Sequence, residues 1–331
     1  MLRKPATVVV KKDGTQVITT TNTVYNGYGL PTEVTVTGDV IEGSTDTAVQ
    51  QIRKVETTYT NSGSVPSADG YFPYEITQYA SATNLHVTTT QTDAKTGLPK
   101  SVNDVAGVVT TTTYDKLARP VSISRTGFPA QQIRYLSATG DGNAPTHAVM
   151  SIQTVQEGVP NSLEYKDLLG RTLRTATERF DSPALTPEYI FQDVEYNNRG
   201  LTTRESNPYF SAPVAAWTVY SGHDVLGRVQ NKVTPQTNGQ LDTTYQYDGL
   251  TTNITVNATA SDVPYALQMS RTYNALEQLV ETVDANTVSG ITQYAYDGAG
   301  NPIVIRDANN NDIVASYDAL GRKTYVDDPN Q

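Results

Sequence analysis

The sequence predicts an all-β protein, built as an array of antiparallel β-hairpins that repeat along the chain. A short motif, in its full form Tyr-Asp-x-x-Gly-Arg, recurs in stricter or looser form twelve times in 331 residues. Successive copies are never closer than 21 residues, which is roughly what two strands of about six residues and two short turns require. The composition agrees: 21 Tyr stand against 5 Phe and 1 Trp, with many runs of Thr, and Tyr and Thr suit a half-buried pleated surface.

The copies of the motif define one supersecondary unit. The clearest copies are Tyr247-Asp248-Gly249, Tyr296-Asp297-Gly298-Ala299-Gly300 and Tyr317-Asp318-Ala319-Leu320-Gly321-Arg322. Looser copies are Tyr114-Asp115-Lys116-Leu117-Ala118-Arg119, Lys166-Asp167-Leu168-Leu169-Gly170-Arg171, Tyr196-Asn197-Asn198-Arg199-Gly200 and His223-Asp224-Val225-Leu226-Gly227-Arg228. The remaining copies begin at Tyr25, Tyr59, Thr92, Tyr135 and Tyr273. In such an array each unit contacts mainly its neighbours.

This pattern resembles the YD repeats of the Rhs family, which the BC component of insecticidal toxin complexes and the teneurins share. Two stretches carry the likeness: residues 317–322, and residues 207–228 with Asn207-Pro208-Tyr209-Phe210 and Trp217, which are similar to the toxin-complex branch. The resemblance covers about residues 20–331. It implies that the sheet curls or spirals into part of a hollow shell around a toxic C-terminal polypeptide.

We expect two regions, an N-terminal strand region at 1–19 and a repeat array of about twelve hairpin units at 20–331. About 24 strands spaced at ~4.8 Å give a ribbon roughly 115 Å long. Closed into a single turn, that ribbon is too narrow to enclose a globule of ~100 residues, about 34 Å across. The expectation is therefore a fragment of a longer array, truncated at its C-terminal end.

Residues 296–322 show how one unit is expected to fold. Asp297–Asn301 is dense in turn-forming residues. A strand over Pro302–Arg306, a turn over Asp307–Asp312 and a returning strand over Ile313–Tyr317 follow. The best helical candidate, residues 163–180, contains a motif copy and is predicted as strand, turn and strand.

We predict that the motif residues are structural, with Asp capping the turn, Gly taking positive φ, and Tyr stacking on the Tyr of the neighbouring hairpin, as in Tyr317 on Tyr296. The predicted motif residues are Tyr114, Asp115, Asp167, Gly170, Arg171, Asp224, Gly227, Arg228, Tyr247, Asp248, Tyr296, Asp297, Gly300, Tyr317, Asp318, Gly321 and Arg322. The alternative is that the Tyr-Asp pairs form a recognition surface.

Composition limits the partners. The net charge of −10 and a pI near 4.8 argue against nucleic acid, because phosphate binding needs a basic surface. No run of 18 apolar residues predicts a membrane span, and Met1–Pro5 lacks the apolar core of a signal peptide. Cysteine is absent, which suits a secreted or a cytosolic protein. The family resemblance implies a secreted bacterial protein delivered by an export system.

No catalytic, cofactor or metal site is predicted. The stretch from Asp307 to Asp318 is similar to a calcium loop, but Asp312 stands where that loop has Gly and the closing residue is Asp rather than Glu. A turn explains every residue of it. The three histidines, His86, His147 and His223, have no partner at metal-ligand spacing and no Gly-x-Ser-x-Gly elbow nearby.

Two local features have alternative interpretations. Asp328-Pro329 is similar to the start of the Asp-Pro-x-Gly-Leu element at the self-cleavage site of the Rhs family, but the sequence ends before Gly-Leu, so no protease activity is assigned. The aromatic insertion from Pro208 to Trp217 is interpreted as a hairpin loop folded onto the sheet. Sugar binding by ring stacking is its alternative.

Two functions remain open at this point. In the first, the chain is a structural β-shell segment whose partners are its own C-terminal toxin cargo and other parts of the shell. In the second, it is a secreted or cell-surface repeat module that binds carbohydrate or a protein receptor through exposed Tyr and Thr faces.

Overall fold

The computed structural model describes residues 5–12, 16–38, 51–59, 71–79, 85–93, 95–180, 188–210, 216–237, 239–258, 266–284, 290–318 and 320–329. These residues form 25 β-strands and no helix, which confirms the all-β prediction. The described part of the chain contains no helix that is long and apolar enough to cross a membrane.

The strands, in chain order, are β1 (Thr7–Lys12), β2 (Gln16–Tyr25), β3 (Pro31–Gly38), β4 (Gln51–Thr58), β5 (Glu75–Tyr79), β6 (Leu85–Thr92), β7 (Pro99–Asn103), β8 (Val109–Tyr114), β9 (Pro120–Arg125), β10 (Gln131–Ser137), β11 (Met150–Gln156), β12 (Val159–Lys166), β13 (Thr172–Glu178), β14 (Tyr189–Tyr196), β15 (Thr202–Ser206), β16 (Trp217–Ser221), β17 (Asn231–Gln236), β18 (Gly239–Asp248), β19 (Thr251–Ala258), β20 (Ala266–Tyr273), β21 (Leu279–Asp284), β22 (Ile291–Tyr296), β23 (Pro302–Arg306), β24 (Asp312–Tyr317) and β25 (Lys323–Asp327).

Strand pairing follows the chain. Every described register joins two strands that are consecutive in sequence and antiparallel, as in β10 with β11 and β11 with β12. Successive connections therefore alternate between the two ends of the strands. We call the connections after even-numbered strands the motif side and those after odd-numbered strands the opposite side.

The repeat predicted from sequence coincides with this alternation. Each of the twelve motif positions lies in the last residues of an even-numbered strand or immediately beyond them, so one repeat is one pair of strands. The predicted strand over Pro302–Arg306 is β23, and residues 163–180 are strand, turn and strand over β12 and β13, as expected.

The chain divides into two compact units. The first contains residues 1–112, 271–283 and 287–331, and the second contains residues 113–270 and 284–286. Within the first unit, a side chain of β4 reaches a late turn: Arg53 Nη2 lies 3.2 Å from the position that a Cβ on Gly321 would occupy. The Nε of Arg53 is buried and has no hydrogen-bond partner. This contact joins an early repeat to a late one inside a single unit.

Among the described residues, a cluster of buried apolar side chains lies in the second unit. Leu163 and Tyr165 of β12 pack with Ala176 of β13, Phe191 of β14 and Ala138 of the loop between β10 and β11. Tyr165 is fully buried, and its hydroxyl donates a hydrogen bond of 2.7 Å to Oδ2 of Asp141. Burial and this carboxylate raise the pKa of the Tyr165 phenol. The loop over 138–149 therefore covers one face of the sheet.

The aromatic insertion also folds onto the sheet in its described part. Tyr209 and Phe191 exchange two backbone hydrogen bonds of 2.8 and 2.9 Å. Their rings lie 5.8 Å apart. Tyr209 thus acts as a short extra strand that extends the core, as the loop interpretation expected. Pro213 lies outside the described residues.

Ala118 is predicted to be a strained position. It has a φ of 65° at the fourth place of its turn, where six other copies have a Gly with positive φ: Gly29, Gly170, Gly200, Gly227, Gly300 and Gly321. Relief of the left-handed strain outweighs the added entropy of the unfolded chain, so Ala118→Gly should raise the free energy of unfolding by roughly 0.5–1 kcal/mol. The measurement is urea unfolding.

The matched control is Ala106→Gly, one place earlier in the turn of residues 104–108, where φ is not positive. It should lower the free energy of unfolding by about 0.5 kcal/mol, because only the entropic cost applies. A stabilising effect of both changes, or of neither, contradicts the assignment of strain to the fourth position.

Candidate functional site

The five-residue turns of the motif are closed by the Asp or Asn with which they begin. In the turn 318–322, the backbone N–H of Asp318 donates to the carbonyl of Arg322, and the N–H of Gly321 donates to the carbonyl of Asp318, both at 2.9 Å. Oδ1 of Asp318 accepts from the N–H groups of Leu320 and Arg322. One carboxylate thereby satisfies two backbone donors of a tight turn, which explains the requirement for Asp or Asn at this place.

The fifth residue completes the closure. Nε of Arg322 donates to Oδ2 of Asp318 at 2.6 Å. The same pair forms between Arg119 and Asp115, Arg171 and Asp167, and Arg228 and Asp224. Where the fifth residue is an amide, the amide makes the bond instead: Asn301 donates to Asp297, Asn311 donates to Asp307, and Asn274 donates to Gln278.

The five-residue turn also occurs without the full motif sequence, and one copy of the motif sequence does not form the turn. The turns beginning at Asp104 and Asp307 have the same Asp-closed geometry but lie on the opposite side, and the residue before each is not Tyr. Sequence reasoning missed Asp104 as a copy, although Asp-x-x-Gly was present as a signal. In contrast, Asp248 pairs with Thr251 across a two-residue connection, so this predicted copy is not a five-residue turn.

In five of the repeats, the Tyr hydroxyl bonds the preceding repeat. The hydroxyl donates to the carbonyl of the residue that follows the preceding motif turn. The described bonds of this kind run from Tyr59 to Pro31 (2.8 Å), Tyr135 to Pro120 (3.1 Å), Tyr196 to Thr172 (3.0 Å), Tyr247 to Val229 (2.8 Å) and Tyr296 to Leu279 (2.7 Å). In each case the acceptor lies five residues after the Asp or Asn that closes the turn. The bond therefore links a strand end to the exit of the neighbouring turn.

Three of the tyrosine rings lie beneath the arginine of the preceding turn. The guanidinium carbon is 4.0 Å from the ring centroid for Arg119 over Tyr135, 4.7 Å for Arg171 over Tyr196 and 4.1 Å for Arg228 over Tyr247. The sequence predicted stacking of Tyr on Tyr. In these three repeats a cation fills that place, because each Arg is held there by its ion pair with Oδ2 of the turn Asp. The packing of Tyr317 on Tyr296 stays a prediction.

Three consecutive motif turns of the second unit also contact one another directly. Nη1 of Arg171 lies 3.6 Å from the position of a Cβ on Gly200, and Cδ2 of Leu201 lies 3.2 Å from that of a Cβ on Gly227. The guanidinium of Arg199 donates to the carbonyls of Asp224 and Val225, each at 3.1 Å. The turns 167–171, 197–201 and 224–228 therefore form one row.

The turn carboxylates are held in their charged form. Burial alone would raise the pKa of Asp224, but hydrogen bonds from the backbone and guanidinium of Arg228 outweigh it and keep the pKa below its usual value. The pKa of Asp167 and that of Asp318 are lowered against burial in the same way, by Arg171 and Arg322. The hydrogen bonds of Arg119 lower the pKa of Asp115.

A groove of about 680 Å³ lies in the second unit beside this row. It is lined by Ala144, Pro145, Thr146, His147, Asp167, Arg171, Leu173, Arg174, Asp193, Val194, Glu195 and Tyr196. Its charges are paired within the wall: Arg174 donates to both carboxylate oxygens of Asp193 and to the Asn143 carbonyl. Its lining is therefore part of the same network of turn and strand contacts.

The remaining candidate residues are dispersed. His86 lies on β6 opposite Gln78, His147 lies in the loop at 138–149, and His223 precedes the turn at Asp224. The described ranges contain no group of three or more His, Asp or Glu side chains that could hold a metal ion. In the stretch that is similar to a calcium loop, the Asp307 carboxylate accepts hydrogen bonds from Asn309 and Asn311 and closes a turn.

These features define a β-hairpin repeat protein whose Tyr, Asp and Arg side chains join successive units. Residues 273–312 match the family described as RHS Repeat. The matched range begins at Tyr273-Asn274 and includes the turns closed by Asp297 and Asp307. The predicted kinship with the Rhs/YD repeats is thereby confirmed for this part of the chain. A comparison with curated proteins gave no match.

Solved structures with a similar arrangement include three of toxin-complex components. The chain is 13% identical to "TcdB2-TccC3" (TM-score 0.46, 93% of this chain and 26% of that chain) and 13% identical to "TcdB2-TccC3-TEV" (TM-score 0.49, 97% and 25%). It is 12% identical to "TcdB2-TccC3-Cdc42" (TM-score 0.45, 93% and 28%). The chain thus spans about a quarter of the length of these solved chains.

The hydroxyl of Tyr196 is predicted to stabilise the contact between repeats. Tyr196→Phe keeps the ring beneath Arg171 but removes the bond to the Thr172 carbonyl, so the free energy of unfolding should fall by about 1 kcal/mol. Chemical denaturation at neutral pH measures this loss. Tyr325→Phe, at an exposed ring on β25, is the control and should change stability little. Equal stability of Tyr196→Phe and the parent protein would contradict the link.

Stability is predicted to fall in acid through the turn carboxylates. Because the pKa of Asp224 is lower in the folded than in the unfolded protein, its stabilisation is complete above the unfolded value near ~3.9 and is lost as the pH falls through the folded value. Asp224→Asn keeps an amide oxygen to close the turn but does not titrate. The difference in melting temperature between the parent protein and Asp224→Asn should therefore shrink from neutral pH to below ~3.9.

The control for this comparison is Asp248→Asn, at the two-residue connection that has no such Asp–Arg turn. Its difference from the parent protein should depend less on pH. A difference for Asp224→Asn that stays constant down to acid pH would show that the Asp224–Arg228 pair adds nothing to folding.

Proposed function

We propose that this chain is a structural segment of an Rhs-type shell, whose β-wall encloses a toxic polypeptide carried by the same protein. The observation that carries the proposal is where the motif side chains are used. Asp167 closes its own turn, Arg171 bonds Asp167 and covers Tyr196, and Tyr196 bonds the exit of that turn. Because the Asp, Arg and Tyr side chains of the motif hold neighbouring units together, they favour a role in a continuous β-wall.

The mode of assembly supports the same role. Each repeat adds a pair of antiparallel strands beside the previous pair, so strands within the array are paired on both sides and few edges stay free for aggregation. We propose residues 20–331 as the array and residues 1–19 as its entering strand region. We further propose that the motif residues are structural, that the partners are the protein's own cargo and other parts of the shell, and that the protein acts outside the cell after export.

The competing function is adhesion, in which exposed Tyr and Thr faces bind carbohydrate or a protein receptor. It requires that the Tyr-Asp side chains be available to a ligand. In the repeats from Tyr135 to Tyr247 the hydroxyls and arginines are engaged within the wall, which favours the shell. An enzymatic role is not proposed.

The test uses the full product of the gene and weakens one contact between two of its repeats. Arg171→Ala combined with Tyr196→Ala removes the ion pair, the ring contact and the hydroxyl bond between two repeats. Limited proteolysis should release and degrade an internal polypeptide that the parent protein protects. Tyr325→Phe is the control and should preserve protection.

Two outcomes would overturn the proposal. One is a gene product in which no polypeptide other than the array resists protease. The other is a double variant that unfolds at the parent denaturant concentration yet loses binding on a glycan or receptor array, because the motif would then be a recognition surface.

A further inference from the structure

The row of three motif turns in the second unit carries four unusually exposed apolar side chains. Leu168 is 86% exposed, Leu169 77%, Val225 91% and Leu226 74%. We call these four residues the tip cluster. They occupy the second and third places of turns whose first residue is a closing Asp, so they stand at the outermost point of the motif side.

The tip cluster is held in place from below. Asp167 and Arg171 fix one turn, and Asp224 and Arg228 fix the other. Between them, Arg199 bonds the carbonyl of Val225, and Leu201 packs beneath the turn at Gly227. The two apolar pairs are therefore fixed on the first and third turns of the row, about 20 Å apart across four strand spacings.

The charges around the tip cluster differ in sign from those of the whole chain. The turns 167–171, 197–201 and 224–228 hold three arginines and two aspartates, whereas the protein carries a net charge of −10. Both aspartates are paired with arginines of their own turns. The guanidinium of Arg199 has no carboxylate among its described contacts, and it lies on the turn between the two apolar pairs.

We propose that the tip cluster is a docking surface for an anionic lipid membrane. The four exposed apolar side chains project from two separate turns beside a cation, and the boundary of an anionic bilayer takes up apolar side chains and attracts positive charge. Arg199 places a cation on the turn between the two apolar pairs, and this positive charge favours a surface of anionic headgroups. The inference is independent of whether the wall encloses a cargo.

Vesicle sedimentation tests the proposal with the whole chain. Vesicles of phosphatidylcholine with an equal part of phosphatidylglycerol should pellet the protein, and added salt should weaken binding because it screens the headgroup charge. Leu169→Ser combined with Leu226→Ser should bind at least ~10-fold more weakly. The double variant lacks two apolar side chains whose transfer from water into the bilayer favours binding. Arg199→Gln should weaken binding to the anionic vesicles alone and leave any binding to pure phosphatidylcholine unchanged.

The control is Phe180→Ser. Phe180 is 83% exposed and also lies in the second unit, but it follows β13 and is therefore on the opposite side. The Phe180→Ser variant should bind vesicles as strongly as the parent protein does. The melting temperatures of Phe180→Ser and of Leu169→Ser with Leu226→Ser should match that of the parent protein, because the substituted side chains are exposed. Arg199→Gln also loses two hydrogen bonds to the next turn, so its binding is measured well below its own melting temperature.

Three results would overturn the proposal. The folded protein fails to bind either kind of vesicle. It binds, but Leu169→Ser with Leu226→Ser binds equally well. Or analytical ultracentrifugation shows a concentration-dependent dimer that the same double variant abolishes, which would make the tip cluster an interface between two copies of the chain.

Discussion

The hydrogen bond from a tyrosine hydroxyl to the exit of the preceding turn is the constraint on which the rest of the array depends. A strand ladder by itself tolerates a shift in register wherever its faces are weakly distinguished. The bond from Tyr196 to the Thr172 carbonyl fixes where one even-numbered strand ends relative to the turn before it. Asp167 closes the turn that leads into Thr172 by accepting from the N–H groups of Leu169 and Arg171, and so fixes where that carbonyl lies. The closed turn and the tyrosine therefore act together.

This arrangement lets the array remain ordered with few fully buried side chains. Much of the sheet is only half-buried, and the buried cluster around Tyr165 and Phe191 depends on loops that fold back over the second unit. Elsewhere, hydrogen bonds from tyrosine hydroxyls join neighbouring repeats at five described places along the chain. In a quasi-one-dimensional array such repeated terms add along the chain, so the loss of a single link weakens one junction between repeats rather than a common core.

Most of the architecture could be predicted from the sequence because each repeat carries turn-forming residues at fixed places. Asp318 and Gly321 predict a tight turn, and the minimum spacing of the motif predicts two strands per unit. The partner of the tyrosine ring could not be predicted in this way. Arg171 is four residues from Asp167 but 25 residues from Tyr196, and only the register of β12 to β14 brings the ring beneath the guanidinium.

The departures have equally local causes. Tyr247-Asp248-Gly249 matches the motif, yet Thr251 can pair directly with Asp248, so a two-residue connection replaces the five-residue turn. Asp104 closes such a turn, but the residue before it is Asn rather than Tyr, so the motif did not predict this turn. The tip cluster was invisible to pattern reading, because leucine in a turn is recognised as exposed only once the turn has been placed.

The alternation of strands has a consequence for how such a chain can change in length. Gain or loss of a single strand would move every later Tyr-Asp turn to the other side of the sheet and separate each tyrosine from its acceptor carbonyl. Gain or loss of a complete pair would preserve all of them. Viable rearrangements should therefore be even-numbered, with breakpoints at equivalent places in two repeats, so that the unit of inheritance is the hairpin rather than the strand.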